Sequence, residues 1–223
     1  MNFSVMYQTW IKLVTQPNEA AYKEEAEKSY ATLSTALIWI VIASVILGIL
    51  SALAVLVNGL LFNTPMMMGS MFGGSEMPAE ANEQLTQFML ASTGINLVFS
   101  LVLTPILTPI AFLIGSTIYF VVAKLLGGTG TFEKHTYMLA AFSSPLLVVN
   151  GLVSIIPFVG GCIAFAVYFY QIVLTYFAIK TVHELSSGKA ILVALTPLLI
   201  FLVCAVLWLI AFSAIFFSAA LSG

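Results

Sequence analysis

The seven basic residues of this chain, all of them lysines, fall into three groups that long apolar runs separate. Lys12, Lys23 and Lys28 precede the first run, Lys124 and Lys134 lie between the second and third, and Lys180 and Lys189 flank the connection before the fifth. The other two connections, residues 63–92 and 154–159, contain no basic residue, and neither does the tail. Because basic residues concentrate on the cytoplasmic side of membrane proteins, the pattern predicts five crossings with the N-terminus inside and the C-terminus outside.

Hydrophobic residues make up 61% of the sequence and charged residues 7%, which is too apolar for a water-soluble protein of 223 residues. The predicted fold is all-α, a polytopic membrane helical bundle over residues 33–223 that follows a cytoplasmic segment over residues 1–32. The predicted transmembrane helices cover about residues 36–61, 95–122, 137–153, 160–179 and 191–217. The net charge of −2 provides no basic footprint for nucleic acid.

The third predicted crossing, residues 137–153, is close to the minimum length for a transmembrane helix. Together with residues 160–179 it could form two full crossings or a re-entrant hairpin, and the lysine pattern does not separate these because both return to the same side. Both arms are apolar to their ends, which favours full crossings. The first crossing is expected to be an uncleaved anchor, since mixed charges precede it.

A stripe of large apolar side chains follows helical spacing near the N-terminus. Its members are Phe3, Met6, Tyr7, Trp10, Leu13 and Val14. The segment is too short to span a bilayer, so it predicts an amphipathic helix in the inner headgroup layer. The same stripe is equally compatible with packing against the protein's own bundle. The charged residues that follow, over 19–28, are typical of a solvated helix face.

The first outer connection is rich in methionine and glycine. Its methionines are Met66, Met67, Met68, Met71 and Met77. Clustered thioethers can ligate Cu(I), but neither His nor Cys accompanies them here. An adaptable apolar surface is the favoured interpretation, and the sequence predicts neither a metal site nor a cofactor.

Thr-Pro dipeptides occur at Pro105 and Pro109 in the second crossing and at Pro197 in the last. Prolines spaced by four residues lie on one helix face and free backbone carbonyls there, which the threonine hydroxyls can partly satisfy. Together with Pro145 and Gln171, they are candidate kink or cavity residues, although simple packing adjustment is the commoner role. A cavity lined by them would indicate a transporter or channel for a small or lipophilic solute.

Enzymatic signals are weak in this sequence. His183-Glu184 does not begin a zinc-binding H-E-x-x-H helix, because Ser187 stands where the second histidine is required. The glycine-rich residues 127–130 lack the Lys-Ser/Thr of a phosphate-binding loop. Cys162 and Cys204 lie inside apolar runs and are predicted to be small buried residues. The sequence therefore predicts that this protein is not an enzyme.

Five segments, taken together with five crossings, resemble the Yip domain family of Ypt/Rab-interacting membrane proteins. They are Thr15-Gln16-Pro17, Gly127-Gly128-Thr129-Gly130-Thr131-Phe132, Ser144-Pro145, Ile156-Pro157-Phe158-Val159-Gly160, and His183-Glu184-Leu185-Ser186-Ser187-Gly188-Lys189-Ala190. The resemblance implies a helical bundle that pairs with itself or with relatives. Its eukaryotic members are linked to vesicle traffic, small GTPase binding and membrane shaping, and some prokaryotic members look like accessory partners of export systems.

The cytosolic N-terminal segment is short for a eukaryotic member, which puts GTPase binding in doubt and indicates a multi-pass protein of a prokaryotic cell membrane. The leading hypothesis is a non-enzymatic scaffold whose inner loops contact lipid, a membrane-protein partner or a second copy. The candidate contact residues are Lys124, Gly127, Gly128, Gly130, Lys134, His183, Ser186, Gly188 and Lys189. In the alternative interpretation these lysines only fix topology and the glycines only permit turns.

Overall fold

A computed structural model describes residues 3–62, 79–157 and 159–221, and every regular element within them is helical. In chain order the helices are α1 (Phe3–Thr15), α2 (Glu19–Ala26), α3 (Leu33–Phe62), α4 (Ala79–Val98), α5 (Thr104–Leu125), α6 (Phe132–Ser154), α7 (Val159–His183), α8 (Ser187–Ala194) and α9 (Thr196–Leu221). A π-helical turn, Phe99–Leu103, joins α4 to α5. The methionine cluster of Met66, Met67, Met68, Met71 and Met77 lies outside the described residues.

Four helical stretches within the described ranges are long and apolar enough to cross a membrane. They are Leu33–Gly59, Glu83–Leu125, Phe132–Ser154 and Val159–His183. A fifth arises if the bent pair Ser187–Ala194 and Thr196–Ile210 is counted as one span. The predicted all-α polytopic bundle is therefore confirmed. The hairpin arms, 23 and 25 residues long, each have the length of a full crossing.

The last predicted crossing, residues 191–217, is divided by a bend of 50° between α8 and α9. The break falls at Leu195, the C-cap of α8, and Pro197 follows in the first turn of α9. Proline lacks an amide hydrogen and disfavours helical geometry in the residue before it, so a continuous helix is interrupted here.

The first Thr-Pro dipeptide, Thr104-Pro105, directly follows the π-helical turn of the second span. Pro105 cannot donate a backbone hydrogen bond, and the Thr104 hydroxyl donates one to the Phe99 carbonyl at 3.2 Å. The turn packs closely on α3, where a Cβ built on Gly48 would lie 2.5 Å from the carbonyl oxygen of Ser100. The Ser44 hydroxyl of α3 also donates to the Pro105 carbonyl at 3.3 Å. The contacts of this π-helical turn and of Pro105 therefore hold the second span against α3.

Helix α6 lies at the centre of the bundle, against α3, α5, α7 and the N-terminal helices. Every residue from His135 to Ser144 is buried. Aromatic rings fill the space around it, and Trp39 of α3 lies 5.3 Å from Tyr137, centroid to centroid. Helix α6 is thus the central helix around which the other helices pack.

Helices α1 and α2 form an antiparallel hairpin that packs on this core. The Tyr22 hydroxyl donates to the Leu13 carbonyl at 3.1 Å across the hairpin, and the Asn18 side chain caps α2 by accepting from the Ala21 amide at 2.9 Å. Trp10 meets Trp39 edge to face with centroids 6.3 Å apart. Burial raises the pKa of Tyr22, because its phenolate would have no solvation among these rings.

The amphipathic stripe on α1 divides into two faces. Met6, Trp10 and Leu13 are buried against the bundle, so packing on the protein itself is confirmed for this half of the stripe. Phe3 and Tyr7 remain 65% and 64% exposed, one helical turn apart on the outer face.

The two cysteines are exposed rather than buried, so that prediction is wrong. Cys162 lies in the first turn of α7 and Cys204 lies on α9. Helix α9 packs little against the other described helices, which leaves apolar side chains along its length at the surface. An apolar run in the sequence therefore does not imply burial within this chain.

Replacing Gly48 with alanine tests the α3–α5 contact. The new methyl group would stand 2.5 Å from a backbone oxygen, and overpacking of this kind costs about 1–3 kcal/mol. Gly115→Ala is the matched control, because nothing lies within 4 Å of a Cβ at that helical position, and it should stabilise by up to about 1 kcal/mol. Unfolding in mixed micelles measures both, and equal responses would contradict this packing.

Candidate functional site

Several contacts gather helix ends at one end of the bundle. The Leu33 amide donates to Glu133 at 3.2 Å, which joins the starts of α3 and α6. Lys180 near the end of α7 pairs with Glu19 of α2. We call this region the lysine end, defined by α1, α2 and the connections 126–131 and 184–186. All seven lysines lie in these segments or in the helix ends and connection next to them.

The connection 126–131, which we call the glycine loop, is fastened to the end of α7. The Thr129 amide donates to the His183 carbonyl at 3.1 Å. Lys124 donates to the Thr129 carbonyl at 3.2 Å, and Lys189 from α8 donates to the Leu126 carbonyl at 2.8 Å. Three segments that are far apart in sequence are thereby held together.

Glycine is required at three positions of this loop for two different reasons. Gly127 has a φ of 92°, which favours glycine. At Gly128 a Cβ would lie 2.6 Å from His183 Nδ1, and at Gly130 it would lie 2.5 Å from the Val182 carbonyl oxygen. Gly188 is different, since nothing lies within 4 Å of a Cβ there. The first three glycines thus allow a close approach of loop and helix.

Beneath the glycine loop lies a buried histidine pair. His135 Nδ1 is 3.0 Å from His183 Nε2, and His135 Nε2 is 3.0 Å from the Ser116 carbonyl oxygen. Because a carbonyl only accepts, His135 Nε2 carries a proton; in a neutral pair His183 Nε2 then donates to His135 Nδ1. Phe120 packs on both rings, with centroids 5.5 and 5.7 Å away.

The predicted contact residues occupy two levels of the lysine end. Exposed residues form its surface: Lys124, Gly127, Lys134, Ser186, Gly188 and Lys189. Gly128 and His183 are buried below them and Gly130 is half-buried. His183 ends α7 instead of lying on a loop, so its ring supports the surface from beneath and does not face lipid headgroups.

Sequence reasoning missed a second buried polar group, Glu25. The charge pattern over residues 19–28 predicts a solvated position for it, yet it is only 2% exposed. Tyr137 donates to its carboxylate at 2.8 Å and Thr9 donates at 3.2 Å. The available signal was the spacing of Tyr22, Glu25 and Ala26, which share one side of α2. This carboxylate ties both N-terminal helices to α6.

The remaining charges at the lysine end are partly paired. Glu24 accepts from Lys12 at 2.7 Å and from Lys28 at 3.1 Å, and the hydrogen bond from Lys12, followed by that from Lys28, lowers the pKa of this carboxyl. Within the described ranges Lys23 and Lys134 have no ion-pair partner. The surface therefore has ammonium groups available to an anionic partner.

The candidate kink and cavity residues lie on four different helices. Pro105 and Pro109 belong to α5, Pro145 to α6, Gln171 to α7 and Pro197 to α9. The contacts of Pro105 are packing contacts to α3. In the part of the chain that the structure describes, no three His, Cys, Asp or Glu side chains are grouped so that they could hold a metal ion.

An apolar helical bundle that carries all its lysines at one end defines a multi-pass integral membrane protein. Over residues 11–209 the chain matches the family model described as the Yip1 domain, so it belongs to that family. The resemblance drawn from the sequence is thereby confirmed. Comparisons with curated proteins and with solved structures gave no match.

Gly130→Ala is expected to loosen the contact between the glycine loop and α7, at a cost of about 1–3 kcal/mol, because the methyl group would collide with the Val182 carbonyl. Hydrogen exchange of residues 126–131 measures the effect through the Thr129 amide. Gly188→Ala, at an open position, is the matched control and should leave that exchange unchanged. Similar protection in both variants would show that the loop is not held in this way.

Replacing His135 or His183 with leucine should cost about 1–3 kcal/mol each, because each change leaves a buried polar partner unsatisfied. The double variant should cost less than the sum, since the pair is in direct contact at 3.0 Å. Thermal unfolding of the four proteins measures the coupling. Strict additivity would mean that the two rings do not interact.

Proposed function

We propose that this protein is a non-enzymatic scaffold or accessory subunit of a prokaryotic cell membrane, and that it binds a membrane-protein partner through its lysine end. One observation carries the proposal. The glycine loop, the end of α7 and the start of α8 are joined by hydrogen bonds from Thr129 and Lys189. A surface that is ordered before binding loses less conformational entropy when a partner docks.

The lysine end faces the cytoplasm in this proposal. The grouping of all lysines at one end supports it, because such residues are retained on the cytoplasmic side. Residues 1–32 then form the cytoplasmic segment, and residues 33–223 form the membrane domain with its C-terminus outside. A re-entrant hairpin is disfavoured by the lengths of α6 and α7.

The outer face of α1 extends this arrangement to the bilayer surface. Phe3, Tyr7 and Ile11 are exposed on a helix whose other face is packed on the bundle. Aromatic and aliphatic side chains in such a position favour the boundary between headgroups and acyl chains. Helix α1 thus rests between the bundle and the inner headgroup layer.

The partner is expected to present acidic groups. Lys134 is exposed and has no ion pair among the described residues, while Lys124 and Lys189 direct their ammonium groups to loop carbonyls and keep a positive charge at the surface. A second copy of the same chain is the simplest candidate for this partner. The transporter alternative has less support, because the contacts of Pro105 serve helix packing.

Site-directed labelling tests the orientation. After Cys162 and Cys204 are replaced with alanine, single cysteines at positions 134 and 80 report on opposite ends, since Lys134 lies in the first turn of α6 and Glu80 in the first turn of α4. A membrane-impermeant maleimide should label position 80 in intact cells and position 134 only after permeabilisation. The reverse result would place the lysine end outside and remove the proposed cytoplasmic surface.

A charge reversal tests partner binding. Lys134→Glu should reduce recovery of a crosslinked partner roughly two- to fivefold, which is the range for an exposed charge pair. Glu80→Lys, an exposed change at the other end, is the control and should leave recovery unchanged. Quantitative mass spectrometry after crosslinking in native membranes provides the measurement, and equal recovery in both variants would count against a partner at this surface.

A further inference from the structure

A pocket of about 240 Å³ opens at the lysine end between α2 and the end of α7. It is lined by Glu19, Lys23, Lys180, Thr181, Glu184 and Leu185. Its wall combines two ammonium groups, two carboxylates, a hydroxyl and one aliphatic side chain. The pocket is smaller than the roughly 300–1,000 Å³ typical of drug-sized ligands, so its size suits a compact charged group.

One charge of each sign remains available in this pocket. Glu19 and Lys180 satisfy each other in an ion pair. Lys23 has no ion-pair partner in the described ranges, and the Glu184 carboxylate accepts only a long hydrogen bond of 3.5 Å from Thr129. The Thr181 hydroxyl oxygen is buried and has no partner among the described residues. The free groups match a ligand that carries both a phosphate and an ammonium.

The backbone at Glu184 is an independent indication of a site. This residue has a φ of 52°, immediately after the last residue of α7. Glycine or asparagine usually occupies this helix-ending position, because the Cβ of another residue strains the backbone there. By contrast, the positive φ in the adjacent glycine loop is at a glycine, Gly127. Strain that is retained at a charged residue is typical of binding sites.

An apolar track leads along α7 to the same pocket. Phe165, Phe169 and Val173 are 65%, 48% and 44% exposed, and helical geometry places them on one face with Tyr176 and Lys180. The Lys180 ammonium lies 5.8 Å from the centre of the Tyr176 ring, at the end of the track. A ligand that fills both features has hydrocarbon chains and a zwitterionic head.

We infer that this pocket binds the headgroup of a phosphatidylethanolamine-type lipid, with its acyl chains along the exposed face of α7. The phosphate lies at Lys23 and Thr181, and the primary ammonium donates to Glu184. A choline headgroup has no N–H to donate, and a headgroup without an amine leaves the carboxylate unpaired. The lipid site is a separate proposal from partner binding and does not depend on it.

Lipid titration of the purified full-length protein, followed by native mass spectrometry, tests the site. The probes are phosphatidylethanolamine, phosphatidylcholine and phosphatidylglycerol with identical acyl chains. The ethanolamine lipid should bind roughly tenfold more tightly than either of the others, as expected for a charge-assisted hydrogen bond. Equal affinity for all three lipids would overturn the inference, and so would a preference for the glycerol lipid.

Two substitutions separate the roles of the charges. Lys23→Gln should weaken the ethanolamine and glycerol lipids alike, by roughly tenfold, because both carry the phosphate. Glu184→Gln should weaken only the ethanolamine lipid. Glu80→Gln and Glu83→Gln, exposed changes outside the pocket, are the controls. Equal losses in the controls, or no loss in either pocket variant, would overturn the assignment.

Glu184→Gly keeps the test decisive if glutamine disturbs the fold. Glycine relieves the positive φ, so this variant should unfold at a higher temperature than the native protein and still lose its preference for the ethanolamine lipid. A stabilised variant that retains the preference would show that the carboxylate does not bind the headgroup.

Discussion

A lipid bilayer solvates neither ammonium groups nor unpaired peptide groups, and the arrangement of this protein follows from that constraint. The helices satisfy their own backbones, and a π-helical turn ends one residue before the Thr104-Pro105 dipeptide, whose proline has no amide hydrogen to donate. All seven lysines are confined to one end. The lysines are therefore concentrated at one end of the helical bundle, where ammonium groups can lie outside the hydrocarbon layer of the membrane.

Two buried polar side chains at this end, His135 and Glu25, are hydrogen-bonded to groups from other helices. His135 is held between His183 and the Ser116 carbonyl, both at 3.0 Å, and Glu25 accepts from Tyr137 at 2.8 Å. Such groups stabilise a structure only when they are satisfied, and leaving one unpaired costs about 1–3 kcal/mol. They therefore specify one arrangement of the N-terminal hairpin and the glycine loop.

The proposed partner surface and the proposed lipid pocket lie side by side on this framework. Lys134 is at the start of α6, whereas Lys23 and Glu184 line the pocket beside the end of α7. The exposed face of α1 adds an apolar contact at Phe3 and Tyr7. The buried hydrogen bonds hold these surfaces in place before any ligand or partner binds, as expected for a scaffold.

The sequence by itself determined the helical class, the family, the order of the spans and the end at which charge collects, because hydropathy and lysine placement are local properties. The sequence also predicts that the glycine loop and His183 contribute to a contact surface, and this stays a prediction. Only the tertiary structure decided that His183 meets His135, that Glu25 is buried, that half of the α1 stripe packs inward and that Glu184 borders a pocket. These facts depend on contacts between residues up to 161 positions apart, and helical periodicity alone cannot say which face of one helix meets which face of another.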